Sequence, residues 1–224
     1  TRGWNALYLE NHDQPRSVSR FGDPSRYWYE SATALATAYF LQRGTPFIYQ
    51  GQEIGMLGGD FKTAADFRDV ESMSYMERLG ADEVPEGLAT MSRDNGRTPM
   101  QWDSSPAAGF SETVPWIDVP ASAEQINVAA QADDPQSILT YYRALISARH
   151  VIPALTDGTF TRIDASVPAL FVYRRSAPGS DVLVMVNMSG EHHTPLFSSG
   201  DEAMASLPWR LYLGNTDTSF VKTD

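Results

Sequence analysis

Two short, largely apolar runs, Ala6-Leu7-Tyr8-Leu9 and Thr45-Pro46-Phe47-Ile48-Tyr49-Gln50, flank a stretch with helical spacing. A chain that runs strand, helix, strand pairs its two strands in parallel through a right-handed crossover. Parallel strands are covered on both faces and therefore read as continuous apolar runs, as these do. Two of them cannot close a barrel. The sequence feature that most restricts the fold is thus a parallel unit that needs further cover.

The crossover helix is expected over about residues 24–43. Asp23-Pro24 reads as N-cap and first helical position. Ala32, Leu35, Ala36, Tyr39 and Phe40 form the apolar face, and Arg43-Gly44 reads as the stop. A long excursion follows from Met56 to about Ala130, with a charged surface helix expected over Thr63 to Leu79 and an irregular stretch from Ser92 to Phe110. Irregular stretches of that length inside a domain usually carry function. Asp134-Pro135 reads as the start of another helix, running to about His150 with Ile138, Tyr142, Leu145 and Ile146 inward. Beyond Pro153 the period changes. Residues 170–175, 182–187 and 209–214 read as short strands of a small antiparallel sheet.

Composition narrows the function classes. With 42% hydrophobic and 20% charged residues, the 224-residue chain reads as globular. A formal net charge of −11 argues against nucleic acid as a partner, since phosphate neutralisation needs clustered Lys and Arg. There is no cysteine, hence no disulfide framework, and no stretch long and apolar enough to span a bilayer. No signal peptide opens the chain, so the expected place is the cytoplasm, with no membrane partner. The chain begins at Thr1 and runs directly into a strand-like segment, which reads as a piece of something longer.

The most pointed stretch is YLENHDQPRS, residues 8–17, where the first strand stops in Asn11-His12-Asp13. Asp13 could accept hydrogen bonds from a sugar, or merely cap the turn before Pro15. His12 alone reads equally as a structural histidine. Arg93 and Arg97 suit vicinal hydroxyls or carboxylates, or internal salt bridges. Trp102 reads as a packing anchor for its loop, and His192 and His193 as surface residues without metal-ligand spacing.

Three segments go further. LYLENHDQPRSVSRFGD, GTPFIYQGQEIGM and SRDNGRTPMQWDSSPAAGFS resemble, in order and spacing, the oligo-1,6-glucosidase and α-glucosidase branch of the α-amylase superfamily. The resemblance implies an α/β plus all-β chain: the C-terminal portion of a (β/α)8 barrel over 1–153, then a small antiparallel β-sandwich-type domain over 154–224. The two parallel strands would be the barrel's seventh and eighth. Asp13 matches the family's third carboxylate, His12 its sugar-binding neighbour, Arg97 the arginine of the innermost subsite and Arg93 one lining the next. Glu53 falls in a structural turn and is not matched to catalysis. The motifs bearing the family's nucleophile and acid/base are absent from this sequence. The implied parent is a retaining glycosidase acting on terminal α-linked glucose in short oligosaccharides. It needs no organic cofactor, and no metal ligand is assigned in this chain. The implied partners are an α-glucoside, the missing N-terminal barrel and, for the isolated piece, a second copy. The rival reading is a non-catalytic carbohydrate-binding or structural module; the unbroken substrate-loop motif from Arg93 to Trp102 favours the enzyme.

Overall fold

The computed structural model describes residues 3–80, 83–195 and 209–215. Strand β1 (Ala6–Leu7) pairs in parallel with β2 (Thr45–Pro46), as the strand-helix-strand reading requires, although each has only two ladder residues. Between them lie α1 (Ser17–Phe21) and α2 (Trp28–Phe40). The inward face expected for the crossover helix is correct: Ala32, Leu35, Ala36, Tyr39 and Phe40 are all buried. Its bounds are not. Asp23 caps a separate turn, its Oδ1 accepting from the Ser25 and Arg26 backbone N–H groups, and the helix begins only at Trp28. At the other end it stops at Phe40, and Gly44 serves the entry to β2, where a Cβ would lie 2.5 Å from the Asn5 carbonyl oxygen.

The excursion after Met56 contains α3 (Val70–Leu79), α4 (Glu86–Met91) and α5 (Val128–Gln131) joined by turns. The helix expected from Thr63 is broken into a 3-10 turn at Ala64–Asp66 and α3 proper. The break has a cause. Asp94 Oδ2 accepts from the backbone N–H groups of Arg68 and Asp69, which would otherwise turn back onto helix carbonyls. Phe61 stacks on Phe67 at 4.9 Å, and with Met76 and Ile117 they give the excursion its own small core.

Helix α6 (Ile138–Val151) starts at the Ser137 cap, whose Oγ accepts from Thr140 N–H; Asp134 instead caps the preceding turn at Gln136. Ile138, Tyr142 and Leu145 face inward as expected, but Ile146 is exposed and Tyr141 takes the buried place. After α7 (Pro153–Thr156) come β3 (Thr159–Ile163), β4 (Leu170–Ala177) and β5 (Ser180–Asn187), a three-stranded antiparallel sheet in the order β3-β4-β5. Its third member is therefore β3 and not residues 209–214, which form no ladder among the described residues, with Leu211 and Tyr212 turned to solvent. Trp209 nonetheless packs against Ile163, Ala165 and Val172 on one face of the sheet. On the other face Tyr173, Val184 and Val186 join α2 and α6 in the main core. Among the described residues after α7 these three strands form one sheet laid on helices.

Burial of the parallel pair differs from expectation in detail. Leu7, Leu9 and Ile48 are partly covered by the main core, because α2 and α6 shield one side. Tyr8 and Phe47 remain 51% and 56% exposed, and neither strand pairs with any other among the described residues. Exposed aromatic side chains beside unpaired strand edges invite association. The isolated chain is therefore expected to scatter light at micromolar concentration as an assembly heavier than 24.8 kDa, and Phe47→Ser to reduce that mass. A strict monomer across the concentration range would show that one covered face is enough.

Candidate active site

The corner after β1 is built from the inside out. Glu10 is buried and its carboxylate accepts from Ser17 N–H at 2.8 Å and Ser17 Oγ at 2.5 Å, with Arg16 Nη1 3.3 Å away. Arg16, fully buried, also donates to the Gln50 carbonyl at 2.6 Å and lies over the Tyr49 ring. This network ties the exit of β1 to the exit of β2, and it turns Asn11-His12-Asp13 outward to the rim.

Within the turn, Asn11 and not Asp13 performs the capping, its Oδ1 accepting from Asp13 N–H at 2.8 Å. The Asp13 carboxylate is thereby left for side chains. Arg97 Nη2 donates to its Oδ1 at 2.8 Å and Arg97 Nε to the His12 carbonyl at 2.9 Å. His12 Nε2 stands 3.3 Å from Asp13 Oδ2, and Arg93 Nη1 stands 4.0 Å from Oδ1. The structure thus brings His12, Asp13, Arg93 and Arg97 together across 85 positions of sequence. Asp13 is about half exposed and His12 more so, leaving one side of the carboxylate open.

Two contacts hold the arginine-bearing turn, Arg93–Gly96, against this corner. Tyr49 Oη donates to the Gly96 carbonyl at 2.8 Å. Gly96 itself packs so closely that a Cβ would lie 2.8 Å from the carbonyl oxygens of Asn11 and Gln14. Any side chain there would push Arg97 away from Asp13.

Two carboxylates missed in the sequence complete the cluster. Asp69, 3% exposed, caps α3 through Ser72 N–H and Oγ with one oxygen. With the other it receives Arg93 Nε at 2.8 Å and Nη2 at 2.6 Å, and Arg97 Nη1 lies 3.6 Å away. Burial pushes the Asp69 carboxyl up, but the Ser72 donors and the Arg93 guanidinium outweigh it and hold the group below its ordinary value. Asp94, fully buried, places Oδ1 3.8 Å from Arg97 Nη1. Arg93 is therefore first a partner of Asp69 and only second a neighbour of Asp13. The helix-starting pattern Asp69-Val70-Glu71-Ser72 carried an N-cap signal, but nothing local tied it to an arginine 24 residues on.

The remaining candidates stand apart. Glu53 lies in the turn after β2; burial pushes its carboxyl up, and its Oε2 has no hydrogen-bond partner. Trp102 is half exposed, and its backbone N–H donates to the Ala108 carbonyl at 2.8 Å within the loop. His193 Nε2 pairs with Ser189 Oγ at the surface. Among the described residues no group of three or more His, Asp or Glu could hold a metal ion, and no helix is long and apolar enough to cross a membrane.

Comparison with known proteins bears directly on this corner. The family model described as the α-amylase catalytic domain matches residues 1–158. An oligo-1,6-glucosidase of Parageobacillus thermoglucosidasius is 45% identical over 206 residues, which is 89% of this chain and 36% of that protein. A trehalose-6-phosphate hydrolase of Escherichia coli is 44% identical over 84% of this chain and 35% of its own length. Among solved structures, the trehalulose synthase of Pseudomonas mesoacidophila superposes with a TM-score of 0.77 at 47% identity, covering 84% of this chain and 35% of that one. The chain thus spans a little over a third of the length of the relatives it matches. The catalytic-domain match runs from the parallel strands through the arginine-bearing turn to the end of α7, and the chain belongs to the α-amylase family of glycoside hydrolases.

Proposed function

We propose that this chain supplies the transition-state carboxylate and the sugar-holding arginine of a retaining glycosidase that removes terminal α-linked glucose from short oligosaccharides. In this reading β1 and β2 are the last two strands of a (β/α)8 barrel. Residues 1–153 belong to that barrel, residues 154–224 form the β domain that follows it, and the nucleophile and acid/base come from strands outside these 224 residues. The observation that carries the proposal is the Asp13 carboxylate. It stands at the C-terminal end of a parallel strand, where barrel enzymes place their chemistry, gripped by Arg97 and open beside His12.

Each group then has a task. Glucoside cleavage passes through an oxocarbenium-like state in which the ring flattens. Asp13 accepts from ring hydroxyls as they shift, and Arg97 fixes the direction of its lone pairs. His12 donates to the same sugar from the exposed side. Arg93, set back by its bond to Asp69, borders the next sugar. The relatives' names span hydrolases and sucrose-converting synthases, and support a small α-glucoside as substrate.

The test is reconstitution. The chain alone is expected to hydrolyse no p-nitrophenyl α-glucoside above background. Joined to an N-terminal segment from a relative, it is expected to gain turnover. Turnover by the pure chain alone would overturn the assignment of the nucleophile elsewhere; no turnover from a folded joined protein would overturn the glycosidase reading.

A further inference from the structure

We propose that Asp69 is a positioning residue that keeps Arg93 off Asp13, so that the acceptor face of the Asp13 carboxylate stays free for a ligand. The effect on catalysis rests on the glycosidase reading; the contacts do not.

The charges at this corner alternate. Asp13, Arg97, Asp69 and Arg93 follow one another, with Glu71 3.5 Å from Arg93 and Asp94 3.8 Å from Arg97. Arg97 is fully committed: Nε to the His12 carbonyl, Nη2 to Asp13, and Nη1 toward Asp69 and Asp94. Arg93 is held by one edge only. Its Nε and Nη2 both close on Asp69 Oδ1, and its remaining nitrogen, Nη1, faces Asp13 Oδ1 at 4.0 Å. A rotation of about 1 Å at that nitrogen would make a direct ion pair, since charge-assisted bonds settle near 2.7–2.9 Å.

What stops it is the fixity of Asp69. Its backbone N–H is bound by Asp94 Oδ2, its Oδ2 by Ser72, and Ser72 Oγ in turn meets Ser92 Oγ at 2.8 Å, next to Arg93 in sequence. Asp69 is buried and Asp13 is half exposed, so Asp69 is the stronger competitor for the guanidinium. Without the Asp69 charge, Arg93 would turn to Asp13, and two guanidinium groups would share Oδ1 and draw charge from the carboxylate that a ring hydroxyl meets.

Asp69→Asn separates this role from helix capping, because Asn caps a helix as well as Asp does. The side-chain Nε–H of arginine is visible by nitrogen NMR in the chain itself. In Asp69→Asn the water exchange of the Arg93 Nε–H is expected to quicken at least tenfold, while the Arg97 Nε–H and the amides of α3 keep their protection. The decisive arm is a double-mutant comparison. Asp13→Asn is expected to leave Arg93 Nε–H exchange unchanged in the parent chain and to change it several-fold in the Asp69→Asn background, where Arg93 has moved to Asp13. Arg93 exchange that ignores Asp13 in both backgrounds would overturn the proposal. So would an Asp69→Asn chain in which Arg93 stays protected. In the joined enzyme of the reconstitution test, Asp69→Asn is expected to lower kcat/KM about tenfold. An unchanged kcat/KM beside the expected NMR result would place the fault in the catalytic reading of Asp13 and not in the contacts of Asp69.

Discussion

In the joined enzyme, Asp13→Asn is expected to lower kcat by two to three orders of magnitude with little change in folding. Asn is the same size, and the turn itself is capped by Asn11, whose Oδ1 takes the residue-13 N–H whatever its side chain. The fold therefore loses little. The Arg97 contact at 2.8 Å persists to an amide oxygen, weakened because one partner is no longer charged. What is lost is a full negative charge beside a ring that becomes cationic and whose hydroxyls become better donors. By analogy with removing an oxyanion-hole donor, that is about 3–4 kcal/mol of transition-state stabilisation. Because the interaction strengthens along the reaction, KM should move less than kcat. A variant with near-parent kcat would mean that the carboxylate only orients Arg97, and the functional reading of the corner would fail.

The corner was legible in the sequence because its parts are local. An apolar run that ends in three polar residues marks a strand exit, and Asn-His-Asp sits there in the fold. The arginines were legible as a pair in one loop, but their partner was not. Asp69 meets Arg93 only because Asp94, an acid within the arginine turn, reaches back to hold the backbone of residues 68 and 69. No periodicity encodes such a reach. The helix starts failed for a related reason. Asp23-Pro24 and Asp134-Pro135 both carry the marks of an N-cap, and in both the aspartate closes an Asx turn one step before the helix. Strand β3 escaped notice because four of its five residues are exposed, so its apolar alternation is faint. Residues 209–214 misled in the opposite sense: they are apolar enough for a strand, but Leu211 and Tyr212 face solvent.

Arg175→Met is expected to cost the fold about 3 kcal/mol, more than half of the margin at its lower end of about 5 kcal/mol. Arg175 lies on β4 on the face turned to the helices, fully buried. It donates from Nη1 to the Leu41 carbonyl at 2.6 Å, from Nη2 to Gly158 at 3.1 Å and from Nε to Thr159 at 3.2 Å. Arg149 of α6 donates in parallel to the carbonyls of Phe40, Gln42 and Gly44. The carbonyl of Phe40 at the end of α2, and those of Leu41, Gln42 and Gly44 just beyond it, are thus taken by two arginines from two other elements. The negative end of the helix favours cations there. Two effects oppose each other. Burial, with the positive Arg149 nearby, pushes Arg175 down to about 10, so its charge is a cost to the folded state. Between that value and the ordinary arginine value the unfolded chain holds a proton that the folded chain releases, and stability through this group rises with pH in that window. Methionine would remove the charge cost, but it would leave the buried Leu41 and Gly158 carbonyls without these donors, each worth about 1–3 kcal/mol when buried, while the carbonyl of the exposed Thr159 can turn to water. Two orphaned buried acceptors outweigh one desolvated cation each of whose nitrogens was already hydrogen-bonded. Urea denaturation of the chain followed by tryptophan fluorescence decides between them. A fall in midpoint with unchanged slope, smaller for Arg175→Lys, which keeps one nitrogen donor, is the expected result. A methionine variant as stable as the parent would show that the charge cost had cancelled the hydrogen bonds. The sheet would then be held to α2 by the apolar contacts of Tyr173, Val184 and Val186 and by the Tyr173 hydroxyl, which donates to the Thr37 carbonyl at 3.1 Å.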